Sequence, residues 1–543
     1  MMHRLTFRAL ALAALLALAG TAVAAPTEFL VVALDRGFRG NETVKKRFAE
    51  YHEQYPDSRL FFMTRRLSAS RLASVLAEIQ SKAPERLVVL PLVVSRHEPA
   101  FRAFLEDLDS LRASLDPPLE VEVLPAFGGS PAARSILEDH ARGTGLETPA
   151  GPVVVVGSGA ADEKSRSGIR ATLQDLSRVL PVETQVEVLF SGRNEAARRE
   201  NDLLYERIRS RASEVDQLTV VPYFLDFRAD HHMAVDSALA RELKSPRIRL
   251  QTLLPDQHPA VSSWLSRSTA GSLPPTPSTL GVVLLAHGAD LLWNEEIAAA
   301  LAPVGRSYDV ELSFNMADPW LIQEAVSALE ARGKRHIVIY RLFGLERSFR
   351  TEVESMIGLA AHRGHGSHGT ALLRSSAHLA TIGGIEDHPL FAEALLERAL
   401  AVSGGDRGNE VVLLVAHGAG EEQDDRHWNE LLASLGRQME ARATPRFHAV
   451  EGVTLREDWP EQHRQALAAI EAKVRAHRAA GRRVLAVEAR INGPGPTRKL
   501  LEPLGVTVED EGFAPHLNLS RLVLEDLDEF LEKAGEAPTS ARR

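Results

Sequence analysis

The sequence predicts an α/β protein made of four repeated, doubly wound parallel-sheet domains arranged as two pairs. Three observations predict it. Four strand-like apolar runs each end in a glycine turn: residues 29–37, 153–159, 282–288 and 411–418. The turn glycines Gly37, Gly159, Gly288 and Gly418 stand 122, 129 and 130 residues apart. A second apolar run follows in every repeat, at 87–94, 218–225, 337–343 and 484–491. Recurrence at a fixed period is the mark of a repeat architecture. The runs are continuous in Val, Leu and Ile rather than alternating, which describes parallel strands covered on both faces by helices.

The first residues read as an export signal. His3, Arg4 and Arg8 precede an apolar run from Ala9 to Leu18, and Gly20 to Ala24 offers small residues for cleavage after Ala24. The run is shorter than the roughly 20 residues that span a bilayer. A mature protein that is periplasmic or secreted, with no stable membrane insertion, is therefore expected. The chain has no Cys, which suits an oxidising compartment and excludes thiolate chemistry. Any metal must then be held by carboxylates and by some of the 20 His. Loss of Arg4 and Arg8 with the leader takes the formal net charge from −10 to −12. With no basic block, nucleic acid is not an expected partner.

The expected domain boundaries are 1–24 for the signal, 25–145 and 150–267 for the first two repeats, and 281–403 and 409–535 for the last two. A linker at 268–280, containing Pro274, Pro275 and Pro277, divides the halves. The third and fourth repeats are the most alike. Both read Ala-His-Gly-Ala, at 286–289 and 416–419, and then Trp-Asn-Glu, at 293–295 and 428–430. Each repeat closes with Pro near the start of a final helix, at Ser130-Pro131, His258-Pro259, His388-Pro389 and Pro515-His516.

Ligands gather at the carboxyl ends of strands in open α/β sheets. His287 and His417 stand there, and a histidine at such a rim can take a metal or a proton. The second strand of repeat two leads to His231 and His232, with Asp236 following. Repeat three offers Glu346, Glu352 and Glu354 at the corresponding place. A further group, His362, His365 and His368, lies among glycines and suits capture of Co²⁺, Ni²⁺ or Zn²⁺.

The ordered set of a strand ending in His-Gly, a second strand with His and then Asp beyond it, and a late His-Pro resembles the class II tetrapyrrole chelatases. These are the sirohydrochlorin cobaltochelatase and ferrochelatase group. The resemblance runs through nearly all of the mature chain. It implies flavodoxin-like domains in pairs, with a tetrapyrrole and a divalent metal, cobalt or iron, as partners and no nucleotide. It further implies that His287, His417 and His232 (or His231) bind metal and accept pyrrole protons, with Glu346, Glu352 or Glu354 replacing a second His in repeat three. Two functions are expected: a sirohydrochlorin-type lyase, or a non-catalytic metal or tetrapyrrole carrier. The site is expected between repeats three and four, with His287 the more important histidine and His417 lacking an obvious second ligand.

Overall fold

Each repeat contributes one four-stranded sheet. The computed structural model describes residues 27–35, 37–64, 68–142, 151–180, 182–191, 194–223, 239–250, 258–360, 371–493 and 495–536. Repeat one holds β1 (Thr27–Leu34), β2 (Ser58–Met63), β3 (Arg86–Leu92) and β4 (Glu120–Val123). Repeat two holds β5 (Val153–Ala160), β6 (Thr184–Phe190), β7 (Leu218–Tyr223) and β8 (Ile248–Leu250). Repeat three holds β9 (Leu280–Ala286), β10 (Asp309–Phe314), β11 (His336–Leu342) and β12 (His378–Gly383). Repeat four holds β13 (Glu410–Ala416), β14 (Ala449–Thr454), β15 (Arg483–Glu488) and β16 (Thr507–Glu509).

The strand order is the same four times: β2-β1-β3-β4, β6-β5-β7-β8, β10-β9-β11-β12 and β14-β13-β15-β16. The pairings are parallel. This is the beginning of the flavodoxin-like order 2-1-3-4-5. The first and third strands of each repeat are the apolar runs visible in sequence. β9, β11 and β13 are buried along their whole length, which is why they do not alternate.

The chain divides into two compact units, Met1–Thr269 and Ala270–Arg543. The helix Ala260–Ser272 runs into the stretch expected as linker. Within the second unit, repeats three and four share one core. Val282, Leu284 and Ala286 of β9 enter it together with Val412, Leu414 and Ala416 of β13. The intervening residues Val283 and Leu285, and Val411, Leu413 and Val415, enter two separate outer cores. Each sheet is thus covered on both faces.

The closing helices hold each pair together by crossing over. In the second unit, Phe391 on the closing helix of repeat three (Pro389–Val402) packs on Phe513 of repeat four, ring centroids 4.7 Å apart. In return, the closing helix of repeat four (Asn518–Glu536) accepts hydrogen bonds from repeat three, Tyr308 Oη to Asp528 at 2.8 Å and Tyr340 Oη to Asp526 at 2.6 Å. The first unit repeats the exchange. Tyr223 of repeat two donates to Ala133 O on the closing helix of repeat one, and Tyr51 of repeat one bonds Thr269 on the closing helix of repeat two.

The His-Pro signature belongs to this crossing. Nδ1 of His258, His388 and His516 accepts the backbone N–H two residues on, at 3.1, 3.2 and 3.1 Å. That leaves the proton on Nε2. Nε2 of His258 faces Asp139 at 3.1 Å, that of His388 faces Glu525 at 3.7 Å, and that of His516 faces Glu397 at 3.0 Å. The carboxylate lies on the other repeat's closing helix each time. The signature is structural.

The shared core makes a clear prediction. Phe391→Ala should destabilise the second unit by about 3–5 kcal/mol, the usual cost of truncating a buried Phe. Hydrogen exchange should show β9 and β13 losing protection together. Loss confined to β13 would show that the two repeats do not share one cooperative core.

Candidate functional site

The turn after the first strand carries both rim histidines in the second unit. Gly288 and Gly418 take φ of +74° and +79°, a region glycine enters freely. A Cβ on Gly288 would also stand 2.9 Å from Phe314 Cβ. The glycine is therefore required by the turn, and the preceding histidine is placed on the rim.

The two histidines meet different surroundings. His287 is exposed, and its Nδ1 bonds the neighbouring Gly288 carbonyl at 2.7 Å, which leaves Nε2 as the basic nitrogen. Apolar side chains stand at the helix starts beyond it. Leu291 and Leu292 follow it, and Met316, Trp320 and Leu321 follow the adjacent strand β10; all five are exposed, Leu291 at 74% and Trp320 at 73%. Exposed apolar side chains grouped on one rim mark a place where something docks.

His417 has carboxylates on both ring nitrogens: Glu457 Oε1 lies 3.0 Å from Nδ1 and Asp458 Oδ2 lies 3.2 Å from Nε2. The Trp459 ring stands 5.5 Å away. Arg456 fixes the loop, its Nε and Nη2 donating to the Ala419 and Gly420 carbonyls at 2.6 Å each, while its own N–H donates to His417 O at 2.7 Å. The expectation that His417 lacks a second ligand is therefore corrected. The parallel register that pairs Ala416 with Thr454 brings residues 457 and 458 to it, across some forty positions of sequence.

The same register explains the bare His287. Ala286 pairs with Phe314 as Ala416 pairs with Thr454. Counting three residues on, Ala317 stands where repeat four has Glu457. Asp318 matches Asp458, but it caps its own helix by accepting from Trp320 N and Leu321 N.

Behind His417 the charges continue inward. Arg490 reaches Glu457 through Nη2 and Glu488 through Nε, the latter at 3.1 Å. Glu488 ends β15 and is 0% exposed. The buried Thr497 hydroxyl stands by the Glu488 carboxyl, while Glu457 Oε2 is buried with no close hydrogen-bond partner. Burial pushes the Glu488 carboxyl up to about 7, a rise the Arg490 charge only partly offsets. Burial also works against ionised Glu457, but its hydrogen bond to His417 and the Arg490 charge outweigh it and bring it down to about 2. Two neighbouring carboxyls driven in opposite directions are characteristic of functional sites.

The other expected residues fall elsewhere. Glu346 and Glu354 both pair with Arg350, at 2.7 and 2.8 Å, and Glu352 is exposed on the same short helix. Their charge is answered by arginine rather than gathered around His287. Among the described residues no group of three or more His, Asp or Glu side chains is assembled to hold a metal ion. His231, His232, His362, His365 and His368 lie outside the described residues. Trp293 and Asn492 join the two repeats, with Trp293 Nε1 donating to Asn492 O at 3.3 Å and Asn492 Nδ2 to Glu296 at 3.0 Å. The Trp of that signature in repeat three thus serves the interface, while its Asn294 accepts from Ala289 N within the repeat. Among the described residues no helix is long and apolar enough to cross a membrane.

No family model matches the chain, and no curated protein matches it. Among solved structures, SirB from Bacillus subtilis with Fe³⁺ matches at a TM-score of 0.32 and 16% identity, over 44% of this chain and 92% of that one.

The opposed carboxyls predict a two-sided pH dependence. Glu457, lowered, contributes stability above its unfolded value near 4.5 that is lost as pH falls toward 2. Glu488, raised, contributes a penalty that grows as pH rises from about 4.5 to about 7 and stays above it. Glu488→Gln should therefore match the native protein near pH 4 and exceed it at pH 8 by about 1–3 kcal/mol, at 1.36 kcal/mol per unit. Urea unfolding across this range measures it, and parallel native and variant curves would refute the assignment.

Proposed function

We propose that this chain is a chelatase-like protein acting outside the cytoplasm on a divalent metal, cobalt or iron, and a sirohydrochlorin-type tetrapyrrole. The rim of repeat four is its chemical site. The observation that carries the reading is His417, held at a strand end between Glu457 and Asp458. Inserting a divalent ion into a tetrapyrrole displaces two pyrrole N–H protons. An imidazole with a carboxylate on each side is suited to take up such a proton, because the resulting cation is answered on both nitrogens. The apolar rim at Leu291, Leu292, Met316 and Trp320 is suited to a flat apolar macrocycle, with His287 Nε2 available beside it. The order of motifs that resembles the chelatases supports the same substrates. In this reading His417, not His287, does the proton chemistry, and His287 serves binding.

A second reading, a non-catalytic metal or tetrapyrrole carrier, has its own support. Glu457 is occupied by Arg490, and no ready three-ligand cage exists among the described residues. One assay separates the two. The native protein should insert Co²⁺ into sirohydrochlorin faster than the spontaneous rate, and His417→Ala should lower that rate about 10²-fold, a typical loss for a general base. His287→Ala should chiefly weaken tetrapyrrole binding, read by absorbance. A native rate equal to the spontaneous one, with the absorbance shift of binding retained, establishes the carrier. Neither rate nor shift rejects both.

A further inference from the structure

The outer edge of β12 is open where that of its counterpart β16 is sealed. Each is the last strand of its sheet. Thr381 pairs with Ile339 as Val508 pairs with Ala486, so Ile382 and Gly384 stand where repeat four has Glu509 and Glu511. In repeat four two arginines close the edge. Arg398, on the closing helix of repeat three, pairs with Glu509 and Glu511, and Arg498 donates to the Val508 carbonyl at 3.2 Å and to Asp510. On the closing helix of repeat four the residue matching Arg398 is Asp526, each standing one place beyond the carboxylate that answers the other repeat's histidine. Asp526 accepts from Tyr340 Oη and, among the described residues, is in no ion pair. What remains is a cavity of about 650 Å³, lined by all of β12 and Gly384, by Asp526 and Phe530, and by Leu359. Ala380 and Ile382 pack on the shared core and Leu379 in the outer core, so a cavity lined by all three follows the edge of the strand. His378 N and Gly384 N donate toward β11, to the Arg335 and Arg341 carbonyls at 2.8 and 3.0 Å. Backbone groups alternate in direction along a strand, so those of Leu379 and Thr381 point away from β11, into the cavity. An edge left bare in this way is a template for pairing.

We propose that this cavity takes an extended segment of a partner protein as a fifth strand beside β12, with an Arg or Lys side chain of that segment directed at Asp526. The order β10-β9-β11-β12 leaves the place open, since the flavodoxin-like order continues to a fifth strand there. Main-chain pairing with Leu379 and Thr381 supplies affinity, as in other cases where a peptide adds to a sheet edge. Asp526 supplies the selection for a basic residue through a charge-assisted hydrogen bond. The twin edge shows the logic of the charge. Repeat four brings its own cation, Arg398, to two acids. Repeat three puts an acid at the matching place and the apolar Ile382 and Gly384 opposite, so the cation has to come with the partner. Ile382 and Phe530 meet the apolar side chains on the same face of the incoming segment. The site is separate from the rim of repeat four and does not depend on its chemistry.

The test titrates the full chain into a fluorescein-labelled synthetic peptide, Thr-Val-Arg-Val-Thr-Val-Thr, and reads binding by anisotropy. Saturable binding is expected. Asp526→Asn keeps an acceptor for Tyr340 and should weaken binding about tenfold, the scale of losing a charged hydrogen-bond partner. Exchanging the peptide's Arg for Glu should have a similar effect. N-methylation of alternate backbone nitrogens along one edge of the peptide should abolish binding, and along the other edge should leave it. Ile382→Glu combined with Asp526→Arg copies the repeat-four pairing and should close the groove to the peptide. Should circular dichroism show that double variant unfolded, Asp526→Asn and the methylated peptides decide. Absence of saturable binding overturns the proposal, as does binding indifferent to Asp526→Asn or to methylation of either edge. Two rival occupants are read in the same assay. Octylguanidinium competing as well as the unlabelled peptide would make this a small-molecule pocket. Tighter binding after removal of residues 537–543, which carry Arg542 and Arg543, would give the groove to the chain's own end. Either result overturns the partner segment.

Discussion

Covering the second face of each sheet is the constraint on which the rest of the second unit depends. One face of the β9 sheet is closed by its own outer core, as is one face of the β13 sheet. The remaining faces share a core, and each repeat sends its closing helix across to seal it. The histidine caps at 388 and 516 make the crossing reciprocal. Each sits nine residues before the carboxylate, Glu397 or Glu525, that answers the other's imidazole. A repeat built this way cannot bury its apolar surface alone. Stability is therefore set by the pair, and rim chemistry is left to vary within each member without disturbing the core.

That freedom shows at equivalent register positions. Met316, Ala317 and Arg341 of repeat three stand where repeat four has Arg456, Glu457 and Glu488. In repeat four these residues build an ionic array around His417. In repeat three, among the described residues, no carboxylate pairs with His287, and exposed Leu, Met and Trp side chains stand on the same rim. Two rims of one ancestry-like pattern thus offer opposite surfaces, one apolar and one charged.

The central strands were legible in the amino-acid sequence because complete burial writes a continuous Val/Leu/Ile run. The second and fourth strands were not. β10 has one buried residue in six, and β16 is only three residues long, so neither carries a strong periodic signal. The rim histidines were visible for a similar reason, since a glycine turn after a buried strand has few alternatives. Their partners were invisible. Glu457 and Asp458 reach His417 through the pairing of β13 with β14, and sequence spacing does not say which loops become neighbours. The acids of repeat three show the converse. Glu346 and Glu354 lie at helical spacing on either side of Arg350, so their apparent clustering reports a local salt bridge. Glu488 stands inside the apolar run 484–491, and only its burial sets it apart from other acids.

Arg341 and Glu488 make the final comparison. They occupy the same register, both end a buried strand, and both are nearly inaccessible. Arg341 donates to Thr381 Oγ1 at 3.0 Å and to the Glu346 and Ser348 carbonyls. Its donors are spent on two backbone carbonyls and the Thr381 hydroxyl, and it fastens the loop beyond β11. Such a buried charge is accounted for by structure. Glu488 is less fully answered: beside the buried Thr497 hydroxyl, it shares one guanidinium with a second acid. A buried ion pair contributes little to stability, and an incompletely satisfied one less than a well-packed apolar group would. The folding of repeat four would be served as well by another Arg341. The two acids that share Arg490, one of them bonded to His417, are the feature of this half that packing does not require.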